Sequence, residues 1–271
     1  MIQITALSRA AGTQPVELKT LRFPGGEMHV TVASNVLADE LQIAAHLPDS
    51  DAVMTLLMVT DALRRAYMGA PMALVMPYVP YARQDRVANI GEALSAKVFC
   101  DLINAQRYSR VTIQDPHSDV VAALLDRVVI DDPLPALRRA LEKAGTRPAL
   151  VAPDAGARKR VLKLAKQLEL DVVFADKMRD TRTGAITGTQ VQGDLPDTPL
   201  LVVDDICDGG RTFTELADAL RERQIAQGID RELYLYVTHG IFSKGLDPLL
   251  ARFAAVFARN NWTRDPRCVL V

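Results

Sequence analysis

Short apolar runs alternate along this chain with stretches whose apolar residues recur every three to four positions. Across residues 51–68, Val53, Leu56, Leu57, Leu63 and Tyr67 fall at helical spacing, and Gly69 and Pro71 follow as stop signals. Residues 73–79 form a short apolar run, the pattern of a buried strand. Residues 27–32, 41–47 and 111–115 predict further strands, and residues 95–105 predict a helix. The second half repeats the rhythm more clearly. It predicts helices over 134–144 (ending at Gly145), 156–168 and 212–223, and strands over 149–152, 172–175, 200–203 and 233–237. The polar stretch 176–199 predicts a mobile loop with a hairpin near 190–192, and the DDPLP run at 131–135 marks a boundary. Strands alternating with helices predict an α/β fold of mainly parallel sheets flanked by helices. Ligands then collect at the carboxyl ends of the strands.

One such strand end carries most of the chemical information: Leu201-Val202-Val203-Asp204-Asp205-Ile206-Cys207-Asp208-Gly209-Gly210-Arg211-Thr212. An apolar strand delivers two adjacent acids, then paired glycines, then a helix start. Glycines let backbone N–H groups close around a phosphate, and a helix N-terminus favours the anion. Acids cannot usefully face that phosphate, but they suit sugar hydroxyls or a metal that touches them. The pattern fits a phosphorylated sugar. Taken alone, it also fits a magnesium-binding nucleotidase or plain helix capping.

Composition narrows the field. The 271 residues are 49% hydrophobic and 24% charged, enough for two modest domains with real cores. The formal net charge of -1 gives no support to duplex DNA or an anionic membrane as partner. Aromatics are only 5%, too few for a base-stacking platform. Cys100, Cys207 and Cys268 are far apart and form no CxxC pair, which argues against a disulfide framework or zinc site and for buried thiols in a reducing cytoplasm. The opening MIQITALSRA lacks the pattern of a secretory signal, and residues 70–79 are too short to span a bilayer.

Further segments make the comparison with a family possible. These are Tyr81-Ala82-Arg83-Gln84-Asp85-Arg86, Ser95-Ala96-Lys97, Asp115-Pro116-His117, Ala152-Pro153-Asp154-Ala155-Gly156, Lys177-Met178-Arg179 and Thr238-His239-Gly240-Ile241-Phe242-Ser243. With the 204–212 motif, their order resembles that of the ribose-phosphate diphosphokinases, which make phosphoribosyl diphosphate (PRPP). The resemblance runs from about residue 20 to the C-terminus. It implies two tandem type I phosphoribosyltransferase-like domains, 1–133 on the ATP side and 134–271 carrying the sugar-phosphate motif and a catalytic loop. The implied reaction moves the diphosphoryl group of Mg2+–ATP to the 1-hydroxyl of ribose 5-phosphate in the cytoplasm. A phosphoribosyltransferase that consumes PRPP would share the 204–212 motif but would not need Arg83-Gln84, His117 or the Lys177/Arg179 pair. A non-catalytic associated protein is the other alternative, and such proteins lose the catalytic loop.

The resemblance also implies roles. Asp204 and Asp205 hold the ribose hydroxyls, and Asp208, Gly209, Gly210, Arg211 and Thr212 hold the 5-phosphate. Asp154, Ala155, Gly156 and Ala157 cradle the diphosphate, and His117 and Asp154 flank the magnesium. Arg83, Gln84 and His117 meet ATP. Phe23 and Glu27 complete the adenine pocket from a neighbouring subunit, so a homodimer or higher homo-oligomer is implied, with neither nucleic acid nor membrane as partner. Lys177 and Arg179 close over the reacting phosphates as the catalytic pair. Of Arg158, Lys159 and Arg160, at least one is expected on a solvated helix face. The sequence departs from the family pattern at Arg211, at Gly25 and over 87–91, and both ends are short, which leads to an expectation of weak or absent ADP allostery.

Overall fold

The computed structural model describes residues 1–179 and 186–271, with the side chains of 177–187 outside that description. The chain divides into two compact units, Met1–Asp132 and Pro133–Val271.

In the first unit, β1 (Ile2–Ser8) and β2 (Gly12–Val16) form an antiparallel pair, and β1 also runs antiparallel to the strand Glu40–Ala45. The hairpin β3 (Leu18–Arg22) and β4 (Met28–Val32) is a separate two-stranded sheet. It leans on α1 (Ser50–Ala66), where Arg22 pairs with Asp51. The parallel core follows: β5 (Glu40–Ala45), β6 (Met72–Val75), β7 (Arg110–Gln114) and β8 (Val128–Asp131), with α2 (Ser95–Ala105) and α3 (Asp119–Leu124) in the crossovers. Leu56, Val59 and Leu63 of α1 and Phe99 and Ile103 of α2 are buried in one core with Leu41, Ile43 and Leu74 of the strands.

The second unit contains α4 (Leu134–Ala144), β9 (Ala149–Ala152), α5 (Arg158–Leu168), β10 (Val172–Arg179), β11 (Ile186–Val191), β12 (Leu200–Cys207), α6 (Arg211–Ala226), β13 (Leu233–Gly240), α7 (Asp247–Leu250), β14 (Ala255–Asn261) and β15 (Cys268–Leu270). Its sheet runs β11-β10-β9-β12-β13-β14-β15 and is parallel except at the β10/β11 pair. Strand alternation sorts the core by face. Leu200, Val202, Leu235 and Val237 pack with Phe213, Leu216 and Leu220 of α6, whereas Leu201, Val203, Tyr234 and Tyr236 pack with Leu137 of α4 and Val161 and Leu164 of α5. The three cysteines are free and buried, and burial pushes the Cys207 thiol up to about 12.

Two expectations need correction. The stretch 176–199 is not simply a loop: β10 runs on through Arg179 and pairs antiparallel with β11, while residues 180–185 lie outside the described residues. The strand expected over 200–203 continues to Cys207, because its parallel ladder with β13 extends through Asp204↔Val237 to Cys207↔Gly240. The two acids therefore sit within the last turn of pleat, not after it.

Candidate active site

The carboxyl end of β12 shows how a strand can present two acids. Asp204 and Asp205 have side chains only 14% and 7% exposed, and both face the guanidinium of Arg160. Arg160 donates to Asp204 Oδ1 at 2.5 Å and to Asp205 Oδ1 at 3.4 Å. The backbone N–H of Asp205 also donates to Asp204 Oδ1, and that of Ile206 to Asp205 Oδ1. Burial, reinforced by the adjacent Asp205 carboxylate, pushes the Asp204 carboxyl well above its ordinary range, and Arg160 opposes that rise.

The loop that follows is braced from behind. Ser243 Oγ donates to Asp208 Oδ1 at 2.7 Å, and the backbone N–H of Ser243 donates to the Asp208 carbonyl. Gly210 has φ 78°, a left-handed backbone, and a Cβ there would come within 3.3 Å of Leu249. Gly210 is also the N-cap of α6, a 16-residue helix with neither a capping side chain nor an acid in its first turn. Its leading N–H groups are donors that an anion could satisfy. Arg211 is directed elsewhere: its side chain is 83% exposed and Nε pairs with Glu215 one turn along the helix.

Asp154 opens the other loop of this unit. Its Oδ1 accepts from the backbone N–H of Ala157 at 3.2 Å, Ala155 and Gly156 are exposed, and α5 begins at Arg158, two residues later than expected. Arg158 does not simply face solvent. It lies over the Phe174 ring at 5.3 Å and donates to Asp176 Oδ2 at 2.6 Å, where Gln192 donates as well. Asp176 immediately precedes Lys177, so this network ties α5 to the strand that leads to the expected catalytic pair. Lys159 alone of the three cations is exposed. The side chains of Lys177 and Arg179 lie outside the described residues.

In the first unit the expected ATP residues lie at the surface. Phe23 and Glu27 close the β3/β4 hairpin, the N–H of Phe23 donating to the Glu27 carbonyl, and Phe23 is 46% exposed. Its ring lies 5.9 Å from that of His29. Arg83 and Gln84 are exposed in the turn between β6 and α2, where Tyr81 takes a left-handed φ of 62°. His117 is exposed just beyond the carboxyl end of β7, two residues after Asp115, itself buried at φ 39°.

Arg158, Arg160, Asp176 and Ser243 are the site residues to which sequence reasoning assigned no role. Ser243 at least stood inside a motif. The arginines pair with acids 18 and 44 positions away, beyond any local spacing rule.

The N-terminal domain model of ribose phosphate pyrophosphokinase matches residues 4–106, and the phosphoribosyl transferase domain model matches residues 136–233. A ribose-phosphate pyrophosphokinase from Bradyrhizobium diazoefficiens is 34% identical over 230 residues, covering 83% of this chain and 70% of the relative. The chain belongs to the ribose-phosphate pyrophosphokinase family. A family member from Haemophilus influenzae is likewise 34% identical over 230 residues, covering 82% of this chain and 70% of its own length. The solved phosphoribosylpyrophosphate synthetase from Mycobacterium smegmatis shares the fold, with a TM-score of 0.79 and 23% identity over 94% of this chain and 86% of that one. The expected fold of tandem phosphoribosyltransferase-type α/β units is thus the fold of this family. Among the described residues, no helix is long and apolar enough to cross a membrane.

Proposed function

We propose that this family member transfers the diphosphoryl group of ATP to the 1-hydroxyl of ribose 5-phosphate, releasing PRPP and AMP. The observation that carries the reading is the β12–α6 junction: two hydrogen-bonded acids, then an uncapped helix N-terminus, on one strand end. In this reading the ribose hydroxyls donate to Asp204 and Asp205. The 5-phosphate takes the N–H groups of Gly209, Gly210, Arg211 and Thr212, with Asp208 held by Ser243. Asp154, Ala155, Gly156 and Ala157 form the diphosphate loop.

Transfer of this kind rests on positioning and on neutralising phosphate charge, more than on covalent chemistry. Lys177 and Arg179 are assigned that catalytic task. Both positions lie on β10, whose ladder with β11 shifts register between Met178 and Arg179. Magnesium bound with ATP would supply charge neutralisation at the phosphates and would favour oxygen ligands. Asp154 is a carboxylate already fixed by the Ala157 N–H and suits such a complex. Among the described residues no three His, Cys, Asp or Glu side chains gather around a metal position. His117, a nitrogen donor, is assigned to an ATP phosphate or a metal-bound water. Arg83 and Gln84 meet ATP, and the exposed Phe23 and Glu27 serve the adenine site of a neighbouring copy in a homo-oligomer. The setting proposed for the reaction is the cytoplasm.

The test is direct: incubate the folded chain with ATP, magnesium and ribose 5-phosphate, and measure AMP and PRPP. Stoichiometric AMP and PRPP are expected. Folded protein that forms neither would overturn the reading.

A further inference from the structure

We propose that Arg160 is the positioning residue of the ribose site, clamping Asp204 and Asp205 in the orientation that receives the sugar hydroxyls. The proposal rests on the reading of those two acids as the ribose ligands. Two adjacent carboxylates at a buried strand end repel one another and lose solvation, a cost that a nearby counter-charge offsets. Arg160 supplies it from α5, the helix that begins directly after the diphosphate loop. Its side chain is 21% exposed, and its terminal nitrogen reaches one oxygen of each acid, at 2.5 and 3.4 Å.

The geometry does more than neutralise. In both acids Oδ1 accepts from Arg160 and from a backbone N–H of the strand end. Each carboxylate plane is thereby fixed at one oxygen, and the direction of Oδ2 is fixed with it. A ribose diol, which donates, then meets acceptors that need little ordering on binding, and this lowers the entropic cost of association. The same guanidinium joins the β12 end to the helix behind residues 154–157. Residues two apart on a helix face different ways, so Arg158 serves Asp176 at the approach to Lys177 while Arg160 serves the ribose acids. A lysine at 160 would keep the charge but lose the rigid planar head that aims this nitrogen at both acids.

The experiment compares Arg160→Met, Arg160→Lys and Asp205→Asn in steady-state kinetics, with thermal melting as a folding control. For Arg160→Met, KM for ribose 5-phosphate should rise about 10- to 100-fold, the loss expected of a charge-assisted contact. KM for ATP should stay within about twofold in the same variant, because the ATP groups are not held by Arg160. Arg160→Lys should recover part of the loss. If the Met variant fails to fold, the Lys variant carries the test, with a several-fold rise in KM for ribose 5-phosphate alone. An unchanged KM for ribose 5-phosphate, or equal rises for both substrates, overturns the proposal. Asp205→Asn separates the two levels. If it raises that KM while the Arg160 variants do not, the ribose reading stands and the role of Arg160 falls. If it leaves that KM unchanged, the ribose reading itself falls, and the role of Arg160 with it.

Discussion

In the Met1–Asp132 unit, the groups assigned to ATP stand at the surface: Phe23 is 46% exposed, and Glu27, Arg83, Gln84 and His117 are exposed as well. In the Pro133–Val271 unit, the groups assigned to the sugar are enclosed and already bonded: Asp204 and Asp205 to Arg160, and Asp208 to Ser243. Each unit is built on its own mainly parallel sheet flanked by helices, so the difference lies in what each strand end carries. Enclosed acids must be paired within their own chain, and that pairing orients them before substrate arrives. In the proposed reading, the exposed aromatic and charged groups are completed by the nucleotide and by a second copy of the chain. On that reading, the contrast is between an enclosed subsite and an exposed one.

Four changes would break or sharpen that contrast, from the largest effect to the smallest. If Lys177 has the proposed catalytic role, Lys177→Ala should lower turnover by about 10²–10³ with the thermal midpoint unchanged. Near-normal turnover would remove Lys177 from the catalytic role. Leu201→Ala opens a cavity beneath the enclosed acids, at a fully buried position of β12. Stability measured by urea unfolding should fall by about 2–5 kcal/mol. Phe23→Ala changes only the surface subsite: KM for ATP should rise several-fold, while KM for ribose 5-phosphate and the melting temperature stay put. A rise in both constants would mean that the hairpin serves more than the nucleotide. Arg211→Ala should change neither constant measurably, because Arg211 is engaged with Glu215 at the solvent surface. A raised KM for ribose 5-phosphate would place the Arg211 side chain, and not only its N–H, on the 5-phosphate.

The second unit also predicts two opposite acid dependences. Burial and Asp205 raise the Asp204 carboxyl well above 3.8. Between that ordinary value and the raised one, the folded chain holds a proton that the unfolded chain has released. Stability from this group is full below 3.8 and falls as pH rises through the window. Asp204→Asn should flatten that slope. Asp265 behaves in reverse: hydrogen bonds from Arg267 hold its carboxyl at about 2, so its contribution is present above 3.8 and disappears as pH drops toward 2. Urea midpoints of Asp204→Asn and Asp265→Asn across pH should show slopes changed in opposite senses.

Much of the fold could be read from apolar spacing. The helices at Ser95–Ala105 and Leu134–Ala144 and the strand at Ala149–Ala152 match their expected bounds. Gly145 takes the left-handed φ of 65° that a helix stop asks of it. The antiparallel edge of the first unit went unread: β1 and β2 form a half-buried pair whose apolar positions are interleaved with polar ones too briefly to stand out. In β12 the expectation stopped at Val203 because paired acids look like the end of a buried strand. The ladder with β13 continues through them, with Arg160 close enough to compensate their charge. The acids, glycines and loops of the candidate site were legible as motifs. The arginines that hold them were not, since their partners are distant in sequence and meet only in the fold.

The most direct test follows the atoms of the diphosphoryl group. With ATP labelled at its β-phosphorus, ribose 5-phosphate and magnesium, the account predicts that all transferred label appears in PRPP, with one AMP formed for each. Label recovered in ADP, or left in ATP by the folded protein, would contradict it.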